Sequence, residues 1–166
     1  MIKKECSIFL LKFGTFSLEI WTTLLSFLTM SIGNLEHFDY KEMIKSDTAT
    51  RLKIDNEPKD GAIIFAIYNT LHRLDEIRSA YGKPIIITSG YRCPELNKAV
   101  GGTKNSQHCK GEAADLKWDK DLLEFILKHC KFDQLIEEAS KRTKWIHIAF
   151  KSDENKERQQ YLKLKV

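Results

Sequence analysis

A long amphipathic stretch constrains the fold of this chain more than any other feature. Between Lys59 and Ala80 the apolar residues recur three or four positions apart, at Ile64, Ile67, Leu71, Leu74 and Ile77. This spacing predicts a helix with one apolar face, which other elements must cover. Gly82 lies where a glycine that ends a helix is expected, and Pro58 suits the first helical turn.

Short apolar or β-branched runs after this helix predict a sheet. We expect strands at Pro84–Thr88, Ala113–Trp118, Gln134–Ile136, Trp145–Phe150 and Tyr161–Val166. Further helices are predicted from Glu95 to Val100, after Pro94, and from Asp119, as the cap, to about Cys130. The order of elements indicates an α+β domain in which helices flank a mostly antiparallel sheet.

The remaining segments of this part of the chain are more polar. His37–Lys45 predicts a short helix or turn, Ser46–Thr50 predicts a cap or turn, and Thr103–Glu112 predicts a loop.

The first 35 residues differ in character from the rest, which divides the chain into an extension, residues 1–35, and a domain, residues 36–166. Residues 7–33 are strongly apolar, although Lys12 and Glu19 interrupt them. The uncharged run from Ile20 to Asn34 is shorter than the ~20 residues that a membrane-spanning helix needs. The extension is therefore an export signal, a single membrane anchor or sequence outside the working domain, and membrane contact is expected only through residues 7–33.

Charge and cysteine content exclude some classes of function. The 27 basic and 23 acidic residues leave a formal net charge of +4, and the basic residues are scattered along the chain. A nucleic-acid partner is not expected, because a binding face would collect them. The four cysteines form no CxxC pair, so we expect free thiols, of which Cys109 lies beside a candidate metal ligand.

Two of the five histidines lie where a metal site could form. His108 is in the polar loop, seven positions before Asp115, and His147 is on a predicted strand. Two imidazoles and one carboxylate would leave one position of a tetrahedral zinc ion open, which is typical of catalytic rather than structural sites. His37, His72 and His129 have no partner at metal-ligand spacing, and we expect structural roles for them.

Three separated motifs carry a family resemblance. Residues 106–115 (SQHCKGEAAD) match SxHxxGxAxD at every fixed position, Trp145-Ile-His147 matches WxH, and Ser89-Gly-Tyr-Arg92 matches SGYR. In this order they resemble the family of zinc D-Ala-D-Ala carboxypeptidases and L-Ala-D-Glu endopeptidases, the LAS metallopeptidases. The resemblance runs from about Phe38 to the C-terminus. It implies the fold that this family shares with the hedgehog signalling domain.

The resemblance also implies roles for particular residues. One zinc ion would be held by His108, Asp115 and His147. Arg92 would hold a substrate carbonyl or carboxylate through its guanidinium and take part in catalysis, whereas without the motif a surface salt bridge would be the simpler interpretation. Ser106 would help to orient the substrate peptide.

The catalytic base departs from the pattern of many family members, which carry an acidic residue three positions before the last histidine. Lys144 occupies that position here. A subgroup instead has FDQLI followed by an acidic pair, and residues 132–138 (FDQLIEE) resemble it. Glu137 and Glu138 would point to opposite faces of a strand. The subgroup pattern favours Glu138 as the base and leaves Glu137 facing solvent.

The resemblance implies a zinc peptidase that cuts the stem peptide of peptidoglycan, as a D-Ala-D-Ala carboxypeptidase or an L-Ala-D-Glu endopeptidase, with no covalent intermediate. The alternative is a non-catalytic wall-binding or phage structural module that keeps the metal-site fold. We expect a monomer whose partners are peptidoglycan peptides. An export signal would place it in the periplasm or cell wall, and without one it would be a phage lysin acting on the host wall.

Overall fold

The computed structural model describes residues 35–165, and the predictions made for residues 1–34 lie outside this part of the chain. The described residues form an α+β domain. Its helices are α1 (Tyr40–Ile44), α2 (Asp47–Leu52), α3 (Gly61–Tyr81), α4 (Pro94–Ala99) and α5 (Lys120–His129). Its strands are β1 (Ile87–Ser89), β2 (Ala113–Lys117), β3 (Gln134–Ala139), β4 (Lys144–Ala149) and β5 (Gln160–Lys165).

The amphipathic stretch forms α3, as predicted. Asp60 caps its N-terminus by accepting a hydrogen bond from the Ala62 N–H, and Gly82 ends it in the left-handed conformation with φ of 72°. Pro58 lies just before the helix and not in its first turn. Four of the five predicted apolar positions are buried, whereas Ile64 is half-buried. Apolar periodicity and capping residues were sufficient to predict this helix, because both depend only on near neighbours in sequence.

The sheet has the strand order β1-β2-β4-β3-β5 and is mixed, which corrects the expectation of a mostly antiparallel sheet. Strand β5 runs parallel to β3, and the other neighbouring pairs are antiparallel. Because β4 already has β2 and β3 on its two sides, β5 cannot pair with β4 and instead adds at the edge beside β3. The chain leaves β4 at Ala149, beside the start of β3, and β5 therefore begins at the same end as β3.

The two faces of this sheet have different surroundings. The main core joins one face to α3 and α5, and it includes Leu116, Leu135, Ile146 and Ile148, all without solvent exposure. The alternate positions of the same strands, among them Asp115, Ile136 and His147, lie on the opposite face. The hydrophobic core thus fixes the orientation of the strands, and the candidate metal ligands Asp115 and His147 lie on the other side.

Several boundaries differ from the sequence predictions. Ser46 is a helix cap, but the polar residues after it form α2 rather than a turn. Strand β1 is shorter than predicted and starts at Ile87, while β3 continues to Ala139. Within residues 35–165, no helix combines the length and apolar character needed to cross a membrane.

Candidate metal centre

His108 lies in a short 3-10 turn, Gln107–Lys110, that precedes β2. Ser106 begins the turn, and its hydroxyl accepts a hydrogen bond from the His108 backbone N–H at 3.3 Å. Gly111 ends it with φ of 73°. A Cβ at Gly111 would also come within 2.8 Å of the Ile63 carbonyl oxygen and the Ile67 side chain on α3. Only glycine fits this close approach, which holds the His108 side chain in the interior at 2% exposure.

Asp115 and His147 are supplied by neighbouring strands. They lie directly opposite each other in the antiparallel pairing of β2 with β4, so their side chains project from the same face. The structure brings both to His108. The Nε2 atom of His108 lies 3.1 Å from Nδ1 of His147 and 3.2 Å from Oδ1 of Asp115, and Nδ1 of His147 lies 3.0 Å from the same oxygen.

The hydrogen bond on the far side of the His108 ring decides which nitrogen is free. Nδ1 of His108 is 2.7 Å from the Gly90 carbonyl oxygen, which can only accept, so Nδ1 carries the proton and Nε2 presents a lone pair. Burial lowers the pKa of His108 and keeps this neutral form, against the opposing effect of Asp115. A carbonyl that fixes the outer nitrogen of a histidine is the usual support of a metal ligand.

Asp115 remains ionised despite its burial. Burial acts to raise its pKa, but the two adjacent imidazole rings, of His108 and His147, outweigh this, and its pKa falls well below the usual range. A negative oxygen and the His108 lone pair thus face each other at 3.2 Å. This contact is repulsive unless a cation or proton lies between the two atoms.

The donor set fits a zinc ion. Three ligands at about 2.0–2.2 Å from a tetrahedral zinc lie about 3.3–3.6 Å from one another. The three atoms are 3.0–3.2 Å apart, so side-chain shifts of a few tenths of an ångström would accommodate the ion. Within residues 35–165 these side chains form a cluster of His, Cys, Asp or Glu with ligand atoms close enough to share a metal.

Arg92 approaches the same cluster from the loop between β1 and α4. Its Nη2 atom is 3.6 Å from Oδ2 of Asp115, and its backbone N–H donates to the His108 carbonyl at 3.2 Å. Its Nε is buried, and no group of the described residues accepts a hydrogen bond from it. The guanidinium therefore keeps donors that a ligand oxygen could use.

Glu138 lies on the same face as these residues. It is opposite Trp145 on β4, two residues from His147, and the pleat directs alternate side chains to one side. The Glu138 side chain is half-buried. Burial and the negative charge of Asp115 raise its pKa, and the nearby His147 and Arg92 offset this only in part.

Glu137 and Lys144 lie on the opposite face. Lys144 Nζ is 2.6 Å from Oε1 of Glu137 and 3.5 Å from the centre of the Trp118 ring. Lys163 at 3.4 Å and the Tyr161 hydroxyl at 3.0 Å also contact Glu137. The two glutamates do point to opposite faces, but the expectation that Glu137 faces solvent is wrong, because these partners leave it only 17% exposed.

The other candidates lie outside the cluster or in structural contacts. Ser106 uses its hydroxyl as the cap described above. Cys93, Cys109 and Cys130 are free thiols, and burial raises the pKa of Cys109, which keeps it protonated. None of the remaining histidines of residues 35–165 joins the His108 cluster.

Comparison with known proteins shows the family of this chain. The sequence profile of the family described as peptidase M15 matches residues 36–149. The chain belongs to the peptidase M15 family. A zinc D-Ala-D-Ala carboxypeptidase of Streptomyces albus G is 46% identical over 48 residues, which are 28% of this chain and 19% of the Streptomyces protein. The chain thus matches about a fifth of the length of that curated relative.

Asn56 is a residue that supports this candidate site and that the sequence analysis did not identify. Its buried amide donates to the carbonyls of Ile44 at 2.8 Å and Tyr91 at 3.0 Å, and its oxygen accepts from the Cys93 N–H at 2.8 Å. These bonds hold the backbone on both sides of Arg92. No local pattern marks such an asparagine, because its partners are up to 37 positions away.

Gly90 is a second such residue, although it lies inside the SGYR motif. A Cβ at Gly90 would overlap the backbone O and Cα of Met43. The adjacent Tyr91 N–H donates to this Met43 carbonyl at 2.6 Å. The loop is therefore pressed against the end of α1, which aims the Gly90 carbonyl at His108.

We expect Gly90→Ala to destabilise the metal-free protein by about 1–3 kcal/mol, because the backbone must move to admit the methyl group. Zinc affinity should fall as well, since the Gly90 carbonyl moves with it. Urea unfolding and zinc titration measure the two effects. Gly61→Ala is the matched control, because a Cβ there meets nothing within 4 Å. Equal stability of the two variants would contradict this account.

Proposed function

We propose that this protein is a zinc-dependent peptidase that hydrolyses bonds in the peptidoglycan stem peptide. The observation that carries the proposal is the convergence of Nε2 of His108, Oδ1 of Asp115 and Nδ1 of His147 within 3.2 Å of one another. Membership of the peptidase M15 family and the similarity to a zinc D-Ala-D-Ala carboxypeptidase support the reaction and the substrate class.

The side chains suit hydrolysis by direct attack of water. His108, Asp115 and His147 would hold a zinc ion, which would supply a Lewis acid able to polarise a carbonyl and to lower the pKa of water. Arg92 binds a carbonyl or carboxylate oxygen of the peptide and stabilises the negative charge that develops there. Glu138 accepts a proton from the attacking water and donates it to the leaving amine. Its raised pKa makes the carboxylate a stronger base and so favours the first of these two transfers.

No side-chain nucleophile is required in this scheme. Cys109 is protonated and half-buried, and the cluster beside it is built to activate water. Ser106 would contribute to orienting the peptide from the entrance of the turn. The cleaved bond would be either the terminal D-Ala-D-Ala bond or the L-Ala-D-Glu bond.

The place of action is part of the proposal. If residues 7–33 export or anchor the chain, the enzyme acts in the periplasm or cell wall, and otherwise it acts as a phage lysin on a host wall. We propose that it works as a monomer, because one chain supplies all the residues named above.

Purified muropeptides provide the direct test of substrate class. Incubation with the zinc-loaded protein should remove the mass of a terminal D-alanine if the protein is a carboxypeptidase. It should release the peptide beyond L-alanine if the protein is an endopeptidase. Mass spectrometry distinguishes the two products, and unchanged muropeptides with zinc present would contradict both forms of the proposal.

Metal removal should abolish the reaction. After dialysis against a chelator, we expect hydrolysis to fall to background and one zinc ion per chain to restore it, because no other described group replaces the ligands. Magnesium at the same concentration is the control and should not restore activity, since it prefers all-oxygen ligands. Full hydrolysis by protein shown to contain no metal would overturn the mechanism.

A further inference from the structure

Asp133, in the FDQLI segment, is a buried carboxylate that the proposed mechanism does not use. Its side chain is 0% exposed, and it lies just before β3. A buried charge persists only where several donors satisfy it. Arg158 donates to both oxygens, from Nε to Oδ1 at 2.9 Å and from Nη2 to Oδ2 at 2.7 Å.

A further donor to this carboxylate comes from the turn that carries His108. The Gln107 side-chain amide donates to Oδ2 of Asp133 at 2.8 Å, and Gln107 directly precedes His108. This bond joins residues 26 positions apart. It connects the turn to the start of β3, whose backbone is itself bonded to β4 through the Asp133 N–H and the Ala149 carbonyl at 2.8 Å.

Glu112, two residues after the turn, is connected to Asp133 less directly. Lys151 Nζ lies 3.4 Å from the Glu112 carboxylate and 3.9 Å from Oδ2 of Asp133. The Glu112 N–H donates to the Gln107 carbonyl at 3.1 Å, and the Glu112 carbonyl accepts from the Phe150 N–H at 2.9 Å. The segment 107–112 is therefore held at both ends against the strands that surround Asp133.

His108 needs such support more than the other two ligands do. Asp115 and His147 are placed by ladder hydrogen bonds of central strands, whereas His108 depends on a four-residue turn. The bond to Gly90 fixes the ring, but it does not fix the backbone of the turn. A ligand displaced by a fraction of an ångström binds its metal less tightly.

We propose that Asp133 is a positioning residue for His108, acting through the Gln107 amide to set the affinity of the site for zinc. This inference rests on the zinc site of the proposed function. It gives the Asp of FDQLI a role separate from that of the glutamates that follow it.

Gln107→Leu tests the proposal with less risk to folding than a change at Asp133, because Arg158 still neutralises the carboxylate. We expect the zinc dissociation constant of the whole chain to rise about tenfold, as for other losses of support behind a ligand. Competition with a chromophoric chelator measures it. Gln107→Lys keeps a donor toward Asp133 and should restore most of the affinity.

Gln134→Leu is the matched control. Gln134 is also half-buried and donates one side-chain hydrogen bond, to Gln160 at 2.7 Å, which does not involve the turn. The two leucine variants should lower the Tm of the metal-free protein equally, while only Gln107→Leu weakens zinc binding. Equal zinc affinities, or a Gln107→Lys variant as weak as Gln107→Leu, would overturn the inference and leave the zinc site standing. A native protein that binds no zinc would overturn both.

Discussion

His147→Ala is expected to weaken zinc binding by more than 100-fold and to reduce peptide hydrolysis to background. The loss should exceed the 10–100-fold that follows removal of a residue behind a ligand, because a ligand itself is lost. The two remaining ligands, His108 and Asp115, cannot hold the ion in the same way. Zinc competition and a muropeptide assay measure the two effects on one preparation.

His37→Ala controls for the loss of a histidine as such. The His37 side chain is exposed and lies outside the cluster, so its removal should leave zinc affinity and hydrolysis at native values. Circular dichroism of the metal-free proteins should show that both variants fold. Native zinc affinity in a folded His147→Ala protein would show that the three residues are not a metal site.

The second large effect is expected for Glu138→Gln. The amide keeps the size of the side chain but cannot accept the proton, so kcat should fall by about 10²–10⁴, the usual contribution of general acid–base catalysis. Zinc affinity should change by less than about threefold, because Glu138 is not among the three ligands. The combination of retained metal and lost turnover distinguishes a base from a ligand.

Glu137→Gln provides the adjacent control on the opposite face of β3. It should retain hydrolysis and lose only a small amount of stability, about 0.2–1 kcal/mol, through the weakened pairing with Lys144 and Lys163. A larger loss of kcat in Glu137→Gln than in Glu138→Gln would reverse the assignment of the base. Undiminished hydrolysis in both variants would place the base elsewhere.

The parts of the fold that the sequence predicted well are those set by neighbouring residues. Helix α3, its Gly82 end, the Asp119 cap of α5 and the central strands follow from periodicity and capping. The metal-ligand cluster could also be predicted from the sequence, because two of its members, His108 and Asp115, lie within one short motif together with Gly111. The motif requires glycine at position 111, because a side chain there would collide with α3.

The features that could not be predicted depend on distant pairing. The parallel direction of β5 follows from the occupation of both sides of β4, and no residue within β5 signals it. The roles of Asn56, Gly90 and Asp133 likewise come from contacts with residues remote in sequence. Glu137 was misplaced for a similar reason, since its burial depends on Lys163 and Tyr161 of β5.

Asp115 and His147 are paired across β2 and β4, so the strand register that brings them together is the same register that packs the hydrophobic core. Leu116 and Ile146 are partners in the same ladder and are fully buried on the opposite face. If β4 slipped by one residue, His147 would leave the cluster, and the isoleucines beside it would leave the core at the same time. Misregistered chains would therefore lose stability together with activity, so proteolysis or aggregation would remove the inactive forms selectively.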